Sequence, residues 1–195
     1  MFRTFIIAAA AALVAPVALV ALVALVAPAA SAQVTVIGGG IARDCYEAVK
    51  FSLGRANDTE ELCTRALEVE ALNISNKAAT YTNRGVLRMR QGDYDAALKD
   101  YAAAKRIKPG TGATWLNEGA AYIFKKDYNS ALVSLEKTIE LNSEDIYAAY
   151  YNRAIAKEQT GDVQGAYYDF VKSKELNPDF AATDRQLARF TVTTN

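Results

Sequence analysis

The sequence predicts an all-α fold, an α-α superhelix of about three repeats with capping helices at both ends. Three observations predict it. An asparagine-led triplet recurs at intervals of 34 and then 35 residues, each copy is followed twelve residues later by alanine, and an aspartate precedes the second half of each copy. A period of this length is typical of helical repeats that stack into one continuous core. The triplets are Asn83-Arg84-Gly85, Asn117-Glu118-Gly119 and Asn152-Arg153-Ala154.

Residues 1–32 are predicted to be a signal peptide. They contain one basic residue, Arg3, a long apolar stretch, and Ala30-Ser31-Ala32, which matches the small-x-small pattern of a cleavage site. We therefore expect a mature chain that begins at Gln33 and is periplasmic or secreted. The apolar stretch is also long enough to span a bilayer, so an uncleaved membrane anchor is the alternative.

Charge and composition exclude several kinds of function. The chain has 22 basic and 22 acidic residues and no histidine. Without a basic patch, nucleic acid and anionic membrane are poor partners. Without histidine, Ser/His and Cys/His nucleophiles and histidine-ligated zinc are excluded. Carboxylate neighbours such as Glu60-Glu61 are expected in exposed turns or helix starts, whereas catalytic carboxylate pairs require two different, shielded environments. We predict no enzyme activity, no metal and no cofactor.

Residues 33–40 are predicted to form an extended N-terminal arm, because four β-branched residues precede three glycines. A strand followed by a glycine loop also begins dinucleotide-binding folds, but Arg43 occupies the third glycine position and no second strand follows. The glycines are interpreted as a flexible lead into the first helix. An equally open alternative is that these residues form a short peptide arm that packs on the repeats or on a partner.

Residues 41–76 are predicted to form a degenerate capping helix pair, with helices at 41–53 and 58–72. Cys45 and Cys63 lie at similar distances from the turn of this hairpin, so their side chains should face each other. An exported chain is exposed to an oxidising compartment, and we therefore predict a Cys45–Cys63 disulfide.

Residues 77–178 are predicted to form the three repeats, each of two helices. The predicted pairs are 78–91 with 94–107, 112–125 with 128–141, and 147–160 with 163–176. Asp93, Asp127 and Asp162 should cap the second helices, and Pro109 and Pro178 should end two of them. Residues 179–195 are predicted to form a capping helix over 180–190 and a frayed tail.

The repeated positions resemble those of the tetratricopeptide repeat family. The matching sets are Tyr81, Gly85, Ala97, Tyr101 and Pro109; Trp115, Gly119, Ala131, Leu135 and Ser143; and Tyr150, Ala154, Ala166, Phe170 and Pro178. The resemblance implies a curved stack whose concave face is lined by the first helix of each repeat. The candidate peptide-binding residues on that face are Asn83, Val86, Met89, Arg90, Leu116, Asn117, Ala120, Ile123, Phe124, Tyr151, Asn152, Ile155 and Glu158.

The resemblance implies a protein-binding function. Relatives that grip a chain ending in a carboxylate use lysine and asparagine where this chain has residues such as Thr82, Val86 and Leu116, so that mode is not expected here. The row Asn83, Asn117 and Asn152 could instead bond the backbone of an extended peptide, or serve packing between repeats. We predict an envelope adaptor or assembly factor that binds a protein or peptide partner. Association through the convex face or a homo-oligomer is the alternative.

Overall fold

The computed structural model describes residues 5–9 and 33–194, with side chains for 33–191. Most of this part of the chain is helical, and the predicted all-α architecture is confirmed. The helices are α1 (Ile41–Phe51), α2 (Ala56–Val69), α3 (Ile74–Arg90), α4 (Tyr94–Ile107), α5 (Gly112–Phe124), α6 (Tyr128–Glu140), α7 (Ile146–Gln159), α8 (Val163–Leu176) and α9 (Ala181–Leu187). They pack as antiparallel pairs in chain order, α1 with α2, α3 with α4, α5 with α6 and α7 with α8.

Each repeat's second helix begins with an aspartate cap, as predicted. The carboxylates of Asp93, Asp127 and Asp162 accept hydrogen bonds from the backbone N–H three residues later, at 3.0, 3.2 and 2.8 Å. Each cap satisfies an N–H group that has no partner within the helix. The helix boundaries agree with the predicted ones to within a few residues.

The largest boundary difference is at α3, which begins at Ile74 rather than near residue 78. The cause is Asn73, whose side-chain oxygen accepts a hydrogen bond of 2.8 Å from the backbone N–H of Asn76 and so caps an extra turn. The predicted boundary between capping pair and repeats, at residue 76, therefore falls inside a helix. The extra turn brings Asn76 onto the same face as Asn83, two helical turns away.

A disulfide joins Cys45 of α1 to Cys63 of α2, the pair predicted from the hairpin geometry. Their Cα atoms are 4.9 Å apart and both side chains are fully buried. Val49, Val86 and Leu87 pack around the bridge, which ties the capping pair to α3. The bridge therefore lies at a junction between elements and not at the surface.

Small residues allow the two helices of a repeat to approach closely. A Cβ atom built on Gly119 would lie 2.6 Å from the side chain of Leu135, and one on Gly85 would overlap the ring of Tyr101. Tyr101, Leu135 and their counterpart Phe170 are fully buried. The predicted pairing of small and large residues at each helix crossing is therefore present.

The C-terminal prediction is partly wrong. Helix α9 ends at Leu187, and strand β2 (Phe190–Thr194) replaces the end of the predicted helix and the predicted frayed tail. Strand β2 pairs antiparallel with β1 (Phe5–Ala9), with Phe5 opposite Thr194. The run Thr191 to Thr194 is entirely β-branched, which favours a strand over a helix.

Most of the predicted signal peptide, including the cleavage motif, lies outside the described residues, so cleavage stays a prediction. Within the described ranges, none of the helices has the length and apolar content needed to cross a bilayer.

Candidate functional site

The N-terminal arm, residues 33–40, lies against the face of α3 that carries Asn76 and Asn83. The backbone N–H of Val34 donates to Oδ1 of Asn83 at 3.1 Å, and Nδ2 of Asn83 donates to the carbonyl oxygen of Val34 at 2.9 Å. Asn76 binds the backbone of Ile37 in the same way, at 3.1 and 2.7 Å. Each amide thus contacts both polar groups of one arm residue, which we call a two-point grip.

The arm side chains alternate between buried and exposed positions, as in a strand. Val36 is 1% exposed and packs with Ala42, Tyr46, Ala66 and Ala79. Thr35 points outward, and its hydroxyl contacts the Tyr46 hydroxyl at 3.5 Å. That hydrogen bond lowers the pKa of the Tyr46 phenol, although burial opposes it. An extended backbone and one buried apolar side chain therefore attach the arm to the first helices.

The second and third repeats carry asparagines at the positions equivalent to Asn83. Asn117 on α5 and Asn152 on α7 are both fully buried. In the part of the chain that the structure describes, neither Nδ2 nor Oδ1 of Asn152 has a hydrogen-bond partner. A buried amide without partners costs free energy that a bound backbone could recover. Asn152 is therefore the strongest candidate for a second two-point grip.

The apolar candidate residues are almost entirely buried. Those below 10% exposure are Val86, Met89, Leu116, Ala120, Ile123, Tyr151 and Ile155. Tyr151 packs edge-on against Phe170 and Phe180, with ring centroids 5.5 and 5.1 Å apart, and burial raises the pKa of its phenol. Phe124 is partly buried and stacks on Tyr94 at 5.2 Å. Tyr151 thus belongs to the contact between the third repeat and the C-terminal helix.

The two charged candidates have partners within the chain. Arg90 donates to the carbonyl oxygen of Val49 at 2.9 Å, and burial lowers the pKa of its guanidinium. Glu158 forms an ion pair with Arg189. A bound peptide that uses either side chain would have to share it with these contacts.

The middle residue of each repeated triplet links the two helices of its repeat. Arg84 pairs with Asp100 at 2.7 Å and Arg153 with Asp169 at 2.7 Å, sixteen residues later in both copies. In the middle copy the acidic residue lies on the first helix instead. The carboxylate of Glu118 accepts a hydrogen bond of 2.8 Å from the hydroxyl of Ser134. The triplet therefore combines an amide for the concave face, a polar link to the second helix, and a small residue at the crossing.

A scan against family models identifies two tetratricopeptide repeats, over residues 78–111 and 113–145. Two of the three predicted repeats therefore match the tetratricopeptide repeat model. A stretch of 97 residues, 49% of this chain, is 31% identical to the human Superkiller complex protein 3, of which it spans 6%.

Solved structures of tetratricopeptide repeat proteins have the same fold. MamA (residue 41 to the end) from Desulfovibrio magneticus RS-1 superposes with a TM-score of 0.63 over 76% of this chain and 82% of that one, at 18% identity. The second such domain of human RPAP3, solved with the HSP70 peptide SGPTIEEVD, superposes with a TM-score of 0.56 over 60% and 96%, at 21% identity. At these identities the likeness shows the fold alone.

The sequence indicated Asn83 and left open that residues 33–40 pack on the repeats, as the structure shows, but Asn76 was missed. Asn76 lies seven residues before Asn83, a spacing that puts both amides on one helix face, so the signal was present. The ion pairs Arg84–Asp100 and Arg153–Asp169 were also missed. The sequence contained a signal for them, because arginine and aspartate recur sixteen residues apart in two copies.

Proposed function

We propose that this chain is a non-enzymatic adaptor or assembly factor of the cell envelope that holds an extended segment of a protein partner on its concave face. The concave face is the one formed by α3, α5 and α7. One observation carries the proposal: Asn83 and Asn76 each grip both backbone polar groups of an extended strand, the arm. These hydrogen bonds require an extended main chain and do not themselves select a side chain.

The third repeat supports the same function. Asn152 occupies the position equivalent to Asn83, is fully buried, and has no hydrogen-bond partner among the residues that the structure describes. A partner backbone beside α7 would supply the missing donor and acceptor. The bound peptide in the RPAP3 structure is a precedent for peptide binding by this fold in another protein. Export is supported by the leader-like residues 1–32 and by the buried disulfide.

Site-specific photocrosslinking in the native host tests this function. A photoreactive residue replaces Phe124, on the concave face, and a control replaces Lys137, on the second helix of the same repeat. We expect a dominant adduct with one partner from position 124 alone. Equal adducts from both positions, or self-adducts only, would favour association through the convex face or between copies.

A further inference from the structure

The arm binds Asn76 and Asn83 of α3, on the concave face where the proposed function places a partner. We propose that the arm, residues 33–40, is an intramolecular competitor of that partner and that its release opens the Asn76 and Asn83 grips. This inference rests on the proposed function. It adds the regulation of the site and the kind of peptide that fits its first repeat.

The arm is attached by few contacts. Val36 is its only described side chain that is fully buried, and Ile37 is 77% exposed. The remaining attachment consists of the partly buried side chain of Val34, the four amide hydrogen bonds and the long Thr35–Tyr46 contact. Every one of these hydrogen bonds uses groups that any extended peptide carries or that water can replace. A partner strand can therefore substitute for the arm without loss of hydrogen bonds.

The glycines at the end of the arm allow residues 33–37 to leave without disturbing the first helix. Gly38 and Gly40 have φ angles of 107° and 106°, and a Cβ atom on Gly38 or Gly39 would touch nothing within 4 Å. Helix α1 is held separately, because the backbone N–H of Ala42 donates to Glu70 at 2.8 Å. A turn at these glycines would thus detach residues 33–37 while α1 stays in place.

The arm also defines the peptide that fits. Asn83 and Asn76 form hydrogen bonds with the main chain at Val34 and Ile37. Between these two positions one side chain, that of Val36, is fully buried. The cluster that surrounds Val36 consists of alanines, the ring of Tyr46 and the partly buried Ile41 and Leu72, so it fits a β-branched apolar side chain. The partner of this site is therefore an extended segment with valine or isoleucine at that position and freely variable neighbours.

A pair of adjacent substitutions in the full chain tests the competition. Val36→Asp places a carboxylate where burial is strongly unfavourable, so the arm should detach. Ile37→Asp adds the same charge one residue later, where the side chain is 77% exposed, and is the matched control. The probe is a synthetic acetylated and amidated peptide with the arm sequence, residues 33–39. Side-chain amide NMR signals of Asn76 and Asn83 report the state of both grips.

We expect Val36→Asp to shift both asparagine signals and the probe to shift them back toward their wild-type positions. The wild type and Ile37→Asp should bind the probe at least tenfold more weakly than Val36→Asp. Equal binding to all three proteins would overturn the competition, and so would asparagine signals that Val36→Asp leaves unchanged. A Val36→Asp chain that still binds no probe would also overturn it.

Hydrogen exchange on the wild type keeps the proposal testable if Val36→Asp does not fold. The N–H groups of Val34 and Ile37 should exchange at least tenfold faster than the buried amides of α3, with little dependence on urea. Exchange only on global unfolding would mean that the arm does not release. Neither experiment uses position 124, so a failure here with a Phe124 adduct intact would refute the competition and leave the proposed function standing.

Discussion

The two equivalent asparagines Asn83 and Asn152 should respond to the same substitution with opposite changes in stability. Leucine keeps the branched shape of asparagine and removes its polar atoms. In Asn152→Leu it removes a fully buried amide that has no hydrogen-bond partner in the described chain. Because an unsatisfied buried polar group costs about 1 to 3 kcal/mol, we expect the free energy of unfolding to rise by up to about that amount.

In Asn83→Leu the same change removes two hydrogen bonds, of 3.1 and 2.9 Å, to the backbone of Val34. Each is worth about 0.5 to 1.5 kcal/mol, so the free energy of unfolding should fall by about 1 to 3 kcal/mol. Asn129→Leu, at an exposed position of α6, is the surface control and should change stability by less than about 0.5 kcal/mol.

Urea denaturation followed by far-ultraviolet circular dichroism measures all three variants against the wild type. We expect the free energies of unfolding of Asn152→Leu and Asn83→Leu to lie on opposite sides of that of the control. If Asn152→Leu destabilises the chain as much as Asn83→Leu does, the Asn152 amide serves packing between repeats and is not kept for a ligand.

Three further predictions concern the scaffold. Asp100→Asn, which weakens a buried ion pair, should lower the free energy of unfolding by about 3 kcal/mol in urea titrations, while the exposed Asp95→Asn changes it far less. Burial raises the pKa of the Tyr101 phenol, so the unfolded chain releases this proton first. Stability should therefore fall above pH ~10 by up to about 1.4 kcal/mol per pH unit from this group, and Tyr101→Phe should reduce the measured slope by that amount. Replacing Cys45 and Cys63 together by serine should cost about 3 kcal/mol, and reduction of the wild type should reproduce the loss; a variant as stable as the oxidised wild type would contradict this.

The repeated elements were predictable because their signals are local and occur several times. Aspartate caps, the small residue at each crossing and the 34-residue period each depend on neighbours close in sequence. The exact start of α3 was not predictable, because a single capping residue, Asn73, determines where the helix begins. The C-terminal strand β2 was not predictable either, because it forms only by pairing with β1, which is distant in sequence.

The candidate site was predictable only in part. Periodicity places Asn83, Asn117 and Asn152 on one face, but it does not say what lies against that face. The contact between Val34 and Asn83 joins residues 49 positions apart and depends on the path of the chain after Gly40. Arg90 and Glu158 were predicted as peptide-binding residues from their position alone, and tertiary contacts engage both within the chain.

The central claim is that concave-face asparagines hold a partner by its main chain. The most direct test compares the Phe124 photocrosslink in two variants, Asn152→Ala and the surface control Asn129→Ala. Loss of two hydrogen bonds should lower the adduct yield about tenfold in Asn152→Ala, with its folding intact by circular dichroism, and leave the control unchanged. Equal adduct yields from both variants would contradict the claim.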